Sequence, residues 1–129
     1  MAGANKILRI HAQARLSRKT IKHNLNPIEI IKQAEIDGNI HKFKKDVYFC
    51  AYPTEFENVP AVIFVFTLLL PGPVTGSSAS SEIVMDLVGF LEKVLMPIDK
   101  MDFTRDIEGS KKNIATVVIK KKVREEDII

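Results

Sequence analysis

Hydrophobic and polar positions along the chain fall into segments with different periods. Leu8, Ile10, Ala12, Ala14 and Leu16 alternate with Ile7, Arg9, His11, Gln13 and Arg15. Period two over Lys6–Leu16 predicts a half-buried strand with one polar face. A helix is then announced by Asn26 as N-cap, Pro27 at the first helical position and Glu29 three residues after the cap. Leu25 can staple onto Ile30, with Ile28, Ile31 and Ala34 inward. Gly38 after Asp37 suits a left-handed C-cap.

Alternation returns at Asp46–Tyr52. Val47, Phe49 and Ala51 fall on one predicted strand face, and Tyr48, Cys50 and Tyr52 on the other. Pro53–Pro60 reads as a polar connection into the most apolar stretch, Ala61–Leu70, in which Thr67 is the only hydroxyl. Its length and its Val, Ile and Phe content, bounded by Pro60 and Pro71-Gly72-Pro73, predict a strand covered on both faces. It is too short for a membrane span, which needs about 20 apolar residues.

The loop Pro71–Ser81 supplies serine N-caps. Glu82 and Asp86 favour the positive end of a helix dipole. Ile83, Val84, Leu87, Val88, Leu91, Val94 and Leu95 recur at helical spacing up to Pro97. Strands are predicted at Met101–Glu108 and Asn113–Lys122 around a Gly109-Ser110 turn, with 123–129 as a frayed tail.

The resulting order, β-α-β-β-α-β-β, predicts a single α+β domain over residues 1–129. Its architecture would be a two-layer sandwich: a mainly antiparallel sheet of about five strands with two helices on one face, ferredoxin-like in order plus one strand. From Asp46 to Lys122 this layout resembles that of small phage tail-terminator proteins, which form rings. The resemblance implies an assembly role. The predicted first strand departs from that pattern, which usually opens with a helix.

Charge modifies the picture. Net charge is +3 over 129 residues. Up to Lys45 there are ten basic residues against three acidic, +7; from Asp46 to Ser110 three against ten, −7; in the remainder six against three, +3. A chain that is basic, acidic, basic suits an anionic partner, or self-association of unlike faces. The single cysteine, Cys50, excludes an internal disulfide and reads as a small buried hydrophobe, so an intracellular protein is expected. Neither a signal peptide nor a membrane partner is expected.

Candidate chemistry is sparse. His11, His23 and His41 are far apart, and neither His-x-x-His nor Cys-x-x-Cys occurs, so no metal or cofactor is expected. No nucleophile–base–acid set stands out; Asp99, Asp102, Asp106 and Glu108 read as a solvated strand edge. Thr75, Gly76, Ser77 and Ser78, ahead of a helix, form a possible anion-binding loop, but without the lysine of a P-loop.

The main constellation is a polar sheet face. Arg9, His11 and Arg15 would lie near Tyr48 and Tyr52, fringed by Arg18, Lys19, Lys22, Lys42, Lys44 and Lys45. Such a face can stack bases and hold phosphates, or pack against another protein or another copy. The leading expectation is a non-catalytic assembly or interaction module. The alternatives are an RNA-binding domain and, more weakly, a binder of phosphate-containing small molecules through the Gly/Ser loop.

Overall fold

The computed structural model describes residues 16–69, 78–105 and 114–128. Its elements are α1 (Pro27–Asp37), β1 (His41–Lys44), β2 (Val47–Phe56), β3 (Val59–Leu69), α2 (Ser78–Leu95), β4 (Lys100–Arg105), β5 (Ile114–Lys122) and a 3-10 turn, Glu125–Asp127. The five strands form one antiparallel sheet in the order β1-β2-β3-β5-β4. The chain is therefore of the α+β class. The expected first strand at Lys6–Leu16 except Leu16, the Pro71–Ser81 loop except the start of α2, and the Gly109-Ser110 turn lie outside the described residues.

β3 is the middle strand, and its sequence explains why. Val62, Phe64, Phe66 and Leu68 point to one face and Ile63 and Val65 to the other, and all six are buried. The first set packs with Leu87, Leu91 and Leu95 of α2, the second with Ile30 and Ala34 of α1. A strand apolar on both sides needs cover on both sides.

This corrects two expectations. The helices lie on opposite faces of the sheet, giving three layers rather than two. And β3 pairs with β2 on one edge and β5 on the other, so the central place that a ferredoxin-like order reserves for the first strand is held by the last.

α1 is set by its ends as the sequence indicates. Asn26 Oδ1 accepts from Ile28 N at 2.9 Å, Pro27 opens the helix, and Gly38 takes a left-handed φ of 67°. The Asn39 N–H returns to Ala34 O at 2.8 Å, closing the last turn.

β2 runs further than expected, through Pro53 to Phe56. Pro53 fits because its carbonyl points away from β3 and accepts from Ile21 N at 3.1 Å. Its missing N–H therefore falls on the outer side, and no β2–β3 ladder bond is lost. The hairpin into β3 is closed by Glu57 and Asn58, with φ of 52° and 64°, and pairs Phe56 with Val59. Two consecutive positive φ values match the right-handed strand twist without any glycine.

After β5 the chain is tied down where a frayed tail was expected. Asp127 is buried and its Oδ2 accepts from Arg124 N at 2.9 Å.

Candidate functional site

Arg9, His11 and Arg15 lie outside the described residues, as do Thr75, Gly76 and Ser77; Ser78 opens α2. The remaining candidates divide between one sheet edge and the layer under α1.

β1 pairs with the first part of β2, and residues 17–21 continue along the same outer edge through Ser17 N to Ala51 O and Ile21 N to Pro53 O, both 3.1 Å. Lys42, Lys44 and Lys45 sit on β1 and its hairpin, and Arg18, Lys19 and Lys22 on the continuing segment; all six are exposed. Lys19 lies 3.8 Å from Asp37. No described carboxylate pairs with the other five. The edge is thus a basic rim on one side of the sheet.

Tyr48 and Tyr52 alternate onto the face that carries α1, so the face expected to be open is covered. Tyr52 is fully buried and donates to Asp37 Oδ2 at 2.9 Å. Burial, and then the Asp37 carboxylate, push its hydroxyl up to about 12. It cannot stack a base.

Tyr48 is part-exposed, opposite Lys42 in the β1–β2 ladder. Beside it a cavity of about 160 Å³ opens between the end of α1 and the strands, walled by Ile31, Ile40, Tyr48 and Val65, with Glu35 its one charged lining group.

Around Tyr52 the polar groups satisfy one another. Asn39 Nδ2 donates to Ala51 O at 3.0 Å, and Thr54 Oγ1 donates to Ile21 O at 2.7 Å. Cys50, free and buried among these, has its thiol pushed up to about 12 by burial, against a smaller opposing effect of the Val65 backbone. A thiol so far from ionising is no nucleophile at neutral pH.

Sequence reasoning missed the run Lys120-Lys121-Lys122. Alternation sends the middle lysine to the α2 side, where its side chain is 2% exposed. There its Nζ donates to Met96 O and Pro97 O, both at 3.3 Å, and lies 3.5 Å from Asp127. It holds the carbonyls just past the end of α2.

Lys120 and Lys122 go to the other face, with Nζ 5.3 and 5.6 Å from the centroid of the Phe56 ring. His23 meets the same ring edge-on at 5.5 Å. Lys122 also pairs with Glu57 at 3.1 Å. The available signal was the strand period itself: three consecutive lysines in a buried strand cannot all face water.

Three acidic residues of the middle of the chain, Glu57, Asp99 and Asp102, have basic partners close in the fold. Asp99 is bonded by the Arg124 guanidinium and accepts from Lys122 N at 2.7 Å. Burial alone would raise the Asp99 carboxyl, but Arg124 and the Lys122 N–H together hold it below its ordinary value. The Arg124 guanidinium is raised in turn, chiefly by its bond to Asp99. Lys100 and Asp102 lie 3.6 Å apart.

Among the described residues, no three His, Cys, Asp or Glu side chains are grouped to hold a metal ion. None of their helices is long and apolar enough to cross a membrane. Compared with known proteins, the chain matches no family model, no curated protein and no solved structure.

Proposed function

We propose that this chain is a non-catalytic assembly or interaction module, working as an oligomer or as a subunit of a larger complex. The observation that carries this reading is on α2. Leu87, Leu91 and Leu95 face the sheet, while Phe90 and Val94 on the adjoining flank are 48% and 41% exposed. Phe90 leans on Phe43 at 5.1 Å between ring centroids, and Phe43, itself part-buried, packs on the core, so the exposed strip adjoins the interior. Both sheet faces already have their helix. A further apolar strip outside them is surface that a second protein or a second copy would cover. The ring-forming layout suggested by the order of elements belongs to the same reading.

Light scattering on the purified chain tests it. The expected result is a mass above the 14.5 kDa of one chain, returning to one chain in Phe90→Glu. A monomer at all concentrations, with no partner retained in a pull-down, overturns it.

The basic rim supports a second reading, RNA binding. Its test is a filter-binding titration across salt, since phosphate contacts give an affinity that falls linearly in log–log form. Salt-independent binding, or no loss in Lys42→Glu/Lys44→Glu, removes it.

A further inference from the structure

The β4–β5 ladder sets Lys100 directly opposite Lys120. Like charges directly opposite in a sheet are destabilising. Lys120 is also only 8% exposed, and among the described residues its ammonium lies over the face of Phe56 at 5.3 Å. No described carboxylate or carbonyl oxygen bonds to it. The described carboxylates of this corner are engaged elsewhere: Asp102 with Lys100 at 3.6 Å, Glu57 with Lys122 at 3.1 Å, and Asp99 with Arg124 and the Lys122 N–H. Two ammonium groups, those of Lys120 and Lys122, thus lie over one aromatic ring with Lys100 across the ladder, and the most buried of the three is the one that no described carboxylate bonds.

A charge taken out of water is costly unless something pairs with it. Burial first, and then Lys100, lower the pKa of Lys120, with Asp102 opposing. The corner is short of one anion.

We propose that this corner binds a phosphate-class oxyanion, held by Lys120 with Lys100 and Lys122 at its rim and Phe56 as its floor. The chemistry fits the ammonium, a compact charge with three donors that meets tetrahedral oxygens without a fixed planar geometry. The source is a free or small-molecule phosphate rather than a nucleic-acid backbone. β2 separates this corner from the Lys42–Lys45 end of the basic rim by its full length, roughly 30 Å at about 3.4 Å per residue, while the Lys22 end comes up to it through His23 on the Phe56 ring. The site does not depend on the assembly reading.

Thermal unfolding in inorganic phosphate, against sodium chloride at matched ionic strength, tests the proposal. The expected result is a rise in Tm of about 4 °C at a phosphate concentration ten times Kd. A concentration-dependent broadening of the phosphorus resonance should accompany it. Lys120→Met should abolish both effects, and Lys100→Gln should weaken apparent affinity by about tenfold.

Phosphate also stabilises proteins by exclusion from their surfaces. An equal rise in wild type and both variants therefore overturns the proposal, as does no rise at all. Should Lys120→Met fail to fold, Lys100→Gln and the phosphorus line width decide the matter. Binding of a single-stranded oligonucleotide that needs Lys120, without any response to inorganic phosphate, overturns the small-anion assignment.

Discussion

Against α2 the sheet presents Phe49, Phe64 and Phe66, joined by Phe43, with ring centroids 5.5–6.4 Å apart. Against α1 it presents Cys50, Tyr52, Ile63 and Val65, threaded by hydrogen bonds from Tyr52 to Asp37 and from Asn39 to Ala51. The first layer is held by apolar area, which has no direction. The second is smaller, and α1 has only 11 residues, too short to be stable alone. Its polar contacts fix where it sits. Bulk holds one helix on the sheet, and a few directed bonds position the other.

The largest test of that contrast is Phe64→Ala. Removing a fully buried ring from the α2 layer should cost about 3–5 kcal/mol in urea unfolding, with an unchanged m-value. A loss under 1 kcal/mol would mean that this layer is less tightly filled than its geometry implies.

Next comes Asp99, where the ends of β4 and β5 are tied together. Its folded carboxyl lies below the ordinary 3.8. The stability it contributes is therefore fully present above that value and is lost as pH falls through the lower, folded one. Asp99→Asn should cost about 1–1.5 kcal/mol at pH 7, since its bonds are solvent-exposed. It should also flatten the acid limb of a stability–pH curve, and an unchanged limb would assign the acid sensitivity elsewhere.

The smallest effect is expected on the α1 side. Tyr52→Phe removes one directed bond and should cost about 1 kcal/mol. If it proves neutral while Phe64→Ala is severe, area alone would hold both helices and the contrast would collapse.

Much of this was readable from the chain. The alternation of Val47–Tyr52 assigned both faces of β2 correctly. Asn26, Pro27 and Gly38 marked α1, because caps are local chemistry. The two-sided burial of β3 already implied cover on both faces, through Phe64 against Ile63.

What was not readable depended on distant neighbours. Pro53 looked like a breaker because the side its carbonyl faces is set by Ile21. Glu57 and Asn58 make a tight turn without the glycine that usually signals one. Tyr48 and Tyr52 share a face, and only the end of α1, reaching Asp37 over Tyr52, separates an exposed ring from a buried one. Of the candidate site, the basic rim is present as a continuous edge, whereas Lys120 and Lys121 gave no sign of their burial until β5 was placed between β3 and β4.

That placement bears on how the chain emerges during synthesis. One edge of β3 is complete as soon as the hairpin from β2 forms, but the other waits for β5, roughly 50 residues later. At ordinary rates of translation that is an interval of about 3–10 s. Throughout it, the most hydrophobic ribbon of the molecule has an open row of amides and carbonyls, available to any other nascent strand it meets.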